Sequence, residues 1–451
     1  MQKTIKIKKG LNIPIEGEAP GNIIGHIKTD YVKIYPEDFA GLTPKVDVKV
    51  GDKVKTGTPL MHDKNNPDIV FVSPVSGEVT SVTRGEKRRL LDITIKADAE
   101  MQAEQFDKKD PSKLSADEIK RSLLQSGLWP FIKQRPYDIV ANPEVEPRDI
   151  FVTAFSTAPL APSYDFLLQS ESENFQTGLN ALTKLTNGKV YLGISPQTKL
   201  TAIKEAKNVE IYEFDGPHPA GNVGVHINKI KPVNKGETVW TVDARDIVFF
   251  GHLFNKGYIN LKRTVAYTGS EAVKKGYYTM FIGSSIKPLI ESNTTKSKHL
   301  RYISGNVLTG TKIEPDGHLR YYDSQITVIP EGDETHEMLG WALPGFDKYS
   351  AGCTFFTKLF RGRKYKFDAR LLGGRRAIIM SNEYEKVFPM DILPEFLVKA
   401  TVSYNIDKME NLGIYEVAPE DFALCEFVDT SKMEVQKIIR DGLLRLKKDM
   451  E

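Results

Sequence analysis

The sequence predicts a multidomain α/β protein, and three observations support this fold class. The chain has 451 residues, which is too long for one hydrophobic core. Residues 1–100 consist of short alternating runs separated by turns, whereas residues 148–215 alternate strand-like and helix-like patterns. We therefore predict four domains. They are a carrier-like β barrel-sandwich domain with an N-terminal strand (1–105), a Rossmann-like α/β domain (106–255), a β-grasp-like domain (256–380) and a C-terminal helical domain (381–451).

The first domain begins with a short amphipathic run. Ile5 and Ile7 alternate with lysines before a turn at Gly10, which predicts a strand. The runs "VDVKV", "DIVFV", "GEVTSV" and "LDITIKA" predict further strands, because Gly, Pro, Asn and Asp punctuate them. The stretch "GDKVKTGTPLMHDKNNPDIVFVSPVSGEV" is typical of domains that carry biotin or lipoate on a hairpin lysine.

The second domain begins with a capped helix. Ser115 and Glu118 form a predicted capping box, Ile119 and Leu123 form the apolar face, and Gly127 is a natural C-terminal cap. The segments "DIFVTAF", "NFQTGLNALTKLTNG", "KVYLGIS", "TAIKEAKN" and "VEIYEFDG" then read as strand, helix, strand, helix and strand. This βαβαβ order predicts a parallel sheet.

Residues 236–380 are predicted to be β-rich again, beginning with "ETVWTVDARDIVFFGHLF". After "EKVFPMDILPEF" the pattern becomes helical. In "SKMEVQKIIRDGLLRLKKDM", Ser431 and Glu434 form a second predicted capping box. Val435, Ile439 and Leu443 recur at helical spacing, so a helix with one apolar face closes the sequence.

Composition excludes several classes of protein. The net charge is +3, and Lys and Arg do not interleave with aromatics on a large scale, which argues against nucleic-acid binding. The two cysteines, Cys353 and Cys425, form no CxxC motif, so no structural zinc or Fe–S motif is predicted. No run of 18 apolar residues and no signal-peptide core is present, which predicts a cytoplasmic protein without a transmembrane segment.

Lys64 is the first candidate functional residue. A carrier lysine needs a tight, exposed hairpin, and biotin carriers usually surround it with the sequence Glu-Ala-Met-Lys-Met. Here the stretch is Met61-His62-Asp63-Lys64-Asn65-Asn66-Pro67, which lacks that signature and makes a longer turn. We therefore reject Lys64 as an attachment site and predict an ordinary surface lysine on a carrier-like fold.

The α/β pattern carries no dinucleotide-binding loop. After "DIFVTAF" the chain reads Ser-Thr-Ala-Pro-Leu-Ala-Pro, without the glycines that let a pyrophosphate approach backbone N–H groups. Glycines cluster instead in "DGPHPAGNVGVHI", at Gly216, Gly221 and Gly224. This segment could be a backbone cradle or, through His218 and His226, a metal site. We favour a rigid structural loop, because two histidines eight residues apart, without a nearby carboxylate cluster, are weak evidence for a metal site.

An aromatic and basic cluster follows the first helix, in "SGLWPFIKQRPYD". Trp129, Phe131 and Tyr137 stand beside Lys133 and Arg135. Aromatic faces and a cation that reaches a carbonyl would suit a flat, partly polar molecule such as a quinone. Alternatively, the cluster packs a linker against a domain with its cations extended to solvent. No Ser/His/Asp or Cys/His signature is present, so no catalytic residue is predicted.

Several of these stretches together resemble one family. "IKIKKGLNIPIEG", "DKNNPDIVFVSPVSGEVTSVTRGEKR", "SGLWPFIKQRP", "FDGPHPAGNVGVHI", "YEKVFPMDILP" and "EDFALCEFV" resemble, in order, the A subunit of the bacterial Na+-translocating NADH:quinone oxidoreductase. The resemblance implies a peripheral protein on the cytoplasmic face of the membrane, within a six-subunit complex that couples NADH oxidation and quinone reduction to Na+ export. It implies partners among the other subunits, especially the membrane-embedded B subunit, and possible contact with ubiquinone or menaquinone.

The same resemblance bears on cofactors. The complex uses NADH, FAD, FMN, riboflavin, Fe–S centres and quinone. Relatives in respiratory complex I and in the Rnf complex hold FMN with Gly-Arg-Gly-Gly-Ala-Gly-Phe-Pro, where this chain has Gly127-Leu128-Trp129-Pro130-Phe131. In the region of their cluster, Cys425 stands alone. We therefore expect no cofactor on this chain; the alternatives are an NADH-oxidising flavoprotein of an Rnf-like or complex I-like assembly, or a biotin or lipoate carrier.

Overall fold

The computed structural model describes residues 3–450 apart from 292, 296–298, 334–343, 353–354 and 361. The strands are β1 (Lys3–Lys6), β2 (Ile23–His26), β3 (Tyr31–Ile34), β4 (Pro44–Val46), β5 (Lys53–Val54), β6 (Pro59–Asp63), β7 (Val70–Val72), β8 (Gly77–Arg84), β9 (Leu90–Ala97), β10 (Lys133–Arg135), β11 (Ile139–Val140), β12 (Ile150–Thr153), β13 (Val190–Ile194), β14 (Glu210–Asp215), β15 (Val239–Asp243), β16 (Lys262–Thr268), β17 (Gly276–Phe281), β18 (Leu300–Ser304), β19 (Thr311–Ile313) and β20 (Gln325–Pro330).

The helices are α1 (Ala116–Gln125), α2 (Tyr164–Leu168), α3 (Ser172–Leu182), α4 (Thr201–Lys204), α5 (Val223–Ile230), α6 (Ala244–Lys256), α7 (Lys287–Ile290), α8 (Tyr384–Val387), α9 (Pro394–Val402), α10 (Ile406–Asn411), α11 (Ala423–Val428) and α12 (Val435–Met450). Short 3-10 turns join several of them, including Trp129–Phe131, Phe356–Leu359 and Pro419–Phe422. Within the described ranges, no helix combines the length and the apolar character needed to cross a membrane.

Two small sheets form the N-terminal β domain. One has the order β3-β9-β8-β5 and the other the order β4-β6-β7, and all their pairings are antiparallel. Buried side chains from both sheets, such as Val32, Met61 and Ile93, belong to one hydrophobic core. The strand β6 and the strand β7 form the hairpin in which Lys64 lies.

A seven-stranded sheet forms the centre of the α/β domain, with the order β1-β14-β13-β12-β15-β10-β11. Five neighbouring strands of this sheet run parallel, namely β1, β14, β13, β12 and β15, and β10 and β11 add an antiparallel edge. The predicted parallel βαβαβ unit is confirmed. The capping box of α1 is also confirmed, since Ser115 accepts from the backbone of Glu118 and the Glu118 carboxylate accepts in return.

Two expectations about chain segments are wrong. The N-terminal strand does not join the first β domain: β1 extends the seven-stranded sheet beside β14, and β2 pairs with β17. The alternation of apolar and polar residues indicates a strand but does not identify the strand with which it pairs. Here β1 pairs with the edge strand β14, and Ile7 is buried in the same core cluster as Phe214. The stretch "ARDIVFFGHLFNK" is the helix α6 rather than strand, capped by Asp243 and by Gly257 in the left-handed region.

The C-terminal half contains a six-stranded mixed sheet, with the order β19-β18-β20-β16-β17-β2, and then the helices α8 to α12. The predicted helical ending is confirmed, and the buried residues of α12 include Val435, Ile439 and Leu443. The second capping box is wrong. The helix α12 begins at Val435, and the hydroxyl of Ser431 donates to the carbonyl of Ala377 instead.

Candidate functional site

A cleft of about 390 Å³ opens at the carboxyl ends of β12 and β15. The strand order reverses between these two neighbours. From β12 the chain adds β13 and then β14 on one side of β12, and it then crosses back to place β15 on the other side of β12. Ligands of open α/β sheets bind at such a switch point. The six-stranded sheet and the C-terminal helices close the cleft. Its polar wall includes Lys133, Asp138, Thr153, Ser156, Tyr164, His218, Asn222, Asp243, Arg245, Asp246, Asp323, Glu420, Gln436 and Arg440.

Asp243 organises the floor of the cleft at the end of β15. Its carboxylate accepts from the Tyr164 hydroxyl at 2.7 Å and from the guanidinium of Arg245 at 2.6 and 2.7 Å, and it caps α6. Burial alone would raise the pKa of Asp243, but Arg245 and these hydrogen bonds outweigh it and lower the pKa below its usual value. Burial also raises the pKa of Tyr164, so the phenol is a fixed hydrogen-bond donor.

A second charged group lies where the C-terminal helices reach the cleft. The side chain of Glu420 is half-exposed at the cleft wall, 3.3 Å from the buried guanidinium of Arg135. Desolvation by the surrounding protein and the neighbouring carboxylate of Asp421 raise the pKa of Glu420, although Arg135 opposes the shift. Arg440 binds Asp138 at 2.6 Å, and burial of Asp138 is outweighed by Arg440, Lys133 and Arg135, which lower its pKa. The cleft therefore offers both fixed ion pairs and one carboxyl whose pKa is raised.

Phe131 and Lys133 are the two residues of the predicted quinone cluster that line this cleft. Phe131 stacks on Tyr321 with ring centroids 4.9 Å apart. The ammonium of Lys133 lies 4.1 Å from the centroid of the Tyr322 ring, a cation–π contact. Phe131 is almost fully buried, but it lines the cleft next to the half-buried cation of Lys133.

The other three residues of that cluster do not line the cleft. Trp129 is fully buried, its indole N–H donates to the carbonyl of Ala141, and its ring lies edge-on to Trp240. Arg135 is fully buried in ion pairs with the C-terminal segment. Tyr137 lies edge-on to Tyr415 with ring centroids 6.2 Å apart.

The three glycines of the predicted structural loop each lie where a neighbouring element comes too close for a side chain. A Cβ atom would lie 2.3 Å from the Ile7 carbonyl at Gly216, 2.7 Å from the Thr157 amide at Gly221, and 2.4 Å from the Asp421 carboxylate at Gly224. These contacts connect the loop to β1, to the segment after β12 and to the C-terminal helices. The three glycines thus allow the loop to pack closely against three separate parts of the chain.

The two histidines of the loop have different environments. His218 lines the cleft and shares a hydrogen bond with the Thr157 hydroxyl at 3.1 Å. His226 is stacked between Phe155 and Phe214, and its Nε2 shares a hydrogen bond with the Ala220 carbonyl. Burial lowers the pKa of each to about 4, so both are neutral at neutral pH. Among the residues that the structure describes, no three His, Cys, Asp or Glu side chains are grouped to hold a metal ion.

Lys64 is exposed just beyond β6, and its backbone N–H donates to the Thr43 carbonyl at 2.8 Å. Cys425 is buried in α11, and burial raises the pKa of its thiol well above the usual value, so it is protonated. Cys353 lies outside the described residues.

Sequence reasoning missed Tyr164, Asp243, Arg245, Glu420 and Arg440. Asp243 had a usable signal, since it directly follows the buried strand "TVWTV", and polar residues at the carboxyl ends of parallel strands meet at one edge. Grouping that strand with the later β-rich region concealed the signal. Glu420 and Arg440 come from a distant helical segment and had no signal.

Comparison with known proteins links the chain to one family. Residues 5–98 match the family model described as "NqrA N-terminal barrel-sandwich hybrid domain". Residues 114–259 match "NqrA second alpha/beta domain" and residues 264–314 match "NQRA C-terminal domain". These matches support the barrel-sandwich and α/β parts of the predicted fold.

Similar curated proteins extend over almost the entire chain. The A subunit of the Na(+)-translocating NADH-quinone reductase of Neisseria meningitidis serogroup C is 37% identical over 449 residues, which is 99% of this chain and 100% of that protein. The corresponding protein of Neisseria gonorrhoeae (strain NCCP11945) is 36% identical, and that of Yersinia pseudotuberculosis serotype I is 35% identical, with the same coverage. Among solved structures, the chain is similar to an air-oxidised NAD+-reducing nickel–iron hydrogenase, with a TM-score of 0.34 and 13% identity over 48% of this chain and 47% of that one.

Proposed function

Since the chain belongs to the family of the A subunit of the Na(+)-translocating NADH-quinone reductase, we propose that it is the cofactor-free docking subunit of that complex. Sequence identity of 37% across 99% of the chain carries this proposal. The chain is one subunit of the translocase, and no residue in it is assigned a catalytic role. Its proposed position is the cytoplasmic face of the membrane, with the membrane-embedded B subunit as its main partner.

The residues where glycine-rich relatives hold FMN do not fit that cofactor here. At Gly127 a Cβ atom would lie 2.3 Å from the side chain of Val72, and the turn Trp129–Phe131 that follows is buried. Backbone N–H groups around a flavin phosphate need an open glycine loop, which this buried turn does not provide. Cys425 is a single protonated thiol, whereas a cluster needs several thiolates. The flavoprotein alternative therefore lacks its site, and the carrier alternative lacks the signature around Lys64.

We also propose that the cleft contacts the quinone headgroup through Phe131 and Lys133. The quinone headgroup would lie in the cleft next to the wall to which Phe131 contributes, and the Lys133 ammonium would donate a hydrogen bond to one carbonyl oxygen. Tyr322 supports this placement, because its hydroxyl donates to the Pro130 carbonyl at 2.7 Å while its ring faces Lys133. The contact positions the headgroup and requires no redox step by this chain.

Affinity purification from membranes tests the docking role. An affinity-tagged chain is expressed in a strain that lacks the untagged copy, and the membranes are solubilised in mild detergent. Hydrophobic subunits are expected to co-purify with the tag and with NADH–quinone reductase activity. Recovery of the chain alone, together with activity that survives its deletion, would overturn the proposal. Stoichiometric flavin or Fe–S absorbance in the purified chain would overturn its cofactor-free part.

A photoreactive quinone tests the cleft. The purified complex is labelled with an azido-quinone and digested, and the labelled peptides are identified by mass spectrometry. We expect labelling of the peptides that contain Phe131 or Tyr322, and competition by unmodified quinone. Labelling confined to other subunits would remove this chain from the quinone site and leave the docking role intact.

A further inference from the structure

The segment 344–380 differs in charge from the rest of the chain. It contains nine Lys or Arg residues and two Asp residues, an excess of seven positive charges in a chain whose net charge is +3. The remainder is therefore slightly acidic. Such a concentration of cations favours an anionic surface as its partner.

Among the described residues of this segment, eight large apolar side chains are exposed, and we call the first four of them the aromatic tip. Phe346, Phe356, Leu359 and Phe360 are exposed by 57%, 59%, 77% and 52%. The rings of Phe346 and Phe356 stack with centroids 6.2 Å apart and planes at 21°, so they form one patch. Clustered exposed apolar groups of this size mark a surface that meets a partner or a membrane.

Hydrogen bonds beneath the tip fix its backbone. The hydroxyl of Thr357, which is buried, donates to the Lys348 carbonyl at 2.6 Å. The guanidinium of Arg363 donates to the Phe346 carbonyl at 2.8 Å. Phe356 and Leu359 therefore project from a folded turn, Phe356–Leu359, and exposed Arg363 and Lys364 follow closely in sequence.

We propose that the aromatic tip and the cations beside it bind the anionic headgroup region of the phospholipid bilayer. This inference rests on the proposed position of the chain at the cytoplasmic face. Aromatic and leucine side chains enter the interfacial layer, while Arg and Lys remain at the level of the lipid phosphates. The tip thus adds a direct lipid contact to the docking on membrane subunits.

The charge of the segment distinguishes lipid from membrane protein as its partner. Cytoplasmic loops of membrane proteins carry an excess of Lys and Arg, so they would repel another cationic segment. The cytoplasmic leaflet carries anionic lipids, which attract cations close to the surface. Charge complementarity therefore favours the bilayer.

Vesicle flotation with the purified full-length chain tests the proposal. The chain is mixed with vesicles of phosphatidylcholine alone or of phosphatidylcholine with phosphatidylglycerol, and the bound fraction is measured at two salt concentrations. Binding to the anionic vesicles, weakened by salt, is expected. The variant Lys364→Gln, which leaves the hydrogen bond from Arg363 to Phe346 in place, should weaken it roughly fivefold, since each cation near the surface contributes about 1 kcal/mol. The triple variant Phe356→Ser, Leu359→Ser and Phe360→Ser should weaken it at least about tenfold as well.

Matched controls separate the tip from general stickiness. Val50→Ser with Val273→Ser removes two side chains that are exposed by 63% and 54% elsewhere, and Lys87→Gln with Arg88→Gln removes two exposed cations from the N-terminal domain. Both controls should bind vesicles like the unchanged chain. Equal losses in the controls, or no binding to anionic vesicles by the unchanged chain, would overturn the proposal.

A tryptophan at the tip gives a local readout. Phe360→Trp should show a blue shift in its emission on addition of anionic vesicles, measured as the difference from the unchanged chain, and quenching by brominated lipid. Crosslinks from position 360 to protein subunits, without lipid quenching, would replace the lipid contact with a protein contact. Failure of vesicle binding with normal co-purification of membrane subunits would overturn this inference alone, whereas loss of co-purification would overturn the docking role.

Discussion

The guanidinium of Arg135 lies 3.2 Å from the carboxylate of Asp421, and both side chains are buried. Arg135 ends the strand β10 of the seven-stranded sheet, and Asp421 lies in the turn before α11, so the pair connects the α/β domain to the C-terminal helices. Asp421 also accepts from the backbone N–H of Ala418 at 2.8 Å. The pair therefore fixes the wall of the cleft formed by the C-terminal helices against the wall formed by the seven-stranded sheet.

Replacement of Arg135 should be strongly destabilising. Arg135→Met leaves Asp421 buried without its cation, and breaking one partner of a buried pair costs about 3–5 kcal/mol. The free energy of unfolding, measured by denaturant titration and circular dichroism, should fall by that amount. As a control, Arg375→Ala removes an exposed pair with Glu434 and should cost less than about 1 kcal/mol. A loss at Arg135 as small as at Arg375 would contradict this account.

Much of the fold follows from local pattern. The capping box at Ser115 and the parallel strands from β12 to β14 were predictable, because side-chain chemistry and periodicity determine them within a few residues. The partner of β1 was not, since the strand pairs with β14 more than 200 positions away. The helix α6 was mistaken for a strand because its run "DIVFF" contains β-branched and aromatic residues, which favour strands. Packing of α6 against α3 overrides this strand propensity.

The cleft was predictable only in part. Phe131 and Lys133 were found because aromatic and basic residues lie close together in sequence. Arg135, from the same cluster, is fully buried by an ion pair with Asp421, which is a long-range contact. Local composition therefore indicated a segment that borders the cleft, but it could not separate the residues that line the cleft from those that are buried beside it.

Lys133 should affect quinone affinity more than turnover. In the assembled complex, Lys133→Gln removes the charge that would bind a quinone carbonyl, and a hydrogen bond to a charged group contributes about 1.5–3 kcal/mol. We expect KM for quinone to rise at least about tenfold with kcat nearly unchanged, in steady-state kinetics with NADH in excess. Lys133→Arg, which keeps the charge, should recover part of the loss. An unchanged KM in Lys133→Gln would count against the quinone contact.

Acid should destabilise the chain through its buried histidines. Burial lowers the pKa of His226 to about 4, below the ordinary value of 6.5. Between these values the unfolded chain binds a proton that the folded chain excludes, so stability is full above pH 6.5 and falls as the pH decreases towards 4. His226→Phe should remove about 3 kcal/mol of this dependence, measured as unfolding free energy against pH. An identical acid slope in His226→Phe would contradict the assignment.

The close approach at Gly224 predicts a steric effect. A Cβ atom there would lie 2.4 Å from the Asp421 carboxylate, so Gly224→Ala must separate α5 from the turn that carries Asp421. Overpacking of this kind costs about 1–3 kcal/mol, and unfolding experiments should show it. Gly25→Ala is the matched control, since nothing lies within 4 Å of its Cβ position. Equal stability of the two variants would mean that the loop and the helices are not in contact as described.

Lys64 should be unmodified and dispensable. The residue is exposed in a hairpin between β6 and β7, so a modifying enzyme could reach it, and the missing recognition sequence and the longer turn argue against attachment. Intact-mass measurement of the chain purified from its complex should therefore give the mass of the bare polypeptide. Lys64→Arg should retain full reductase activity, as should Lys55→Arg at another exposed position. A mass increase that Lys64→Arg abolishes and Lys55→Arg preserves would show that Lys64 carries a covalently attached group. The N-terminal β domain would then be a carrier domain rather than part of a cofactor-free docking subunit.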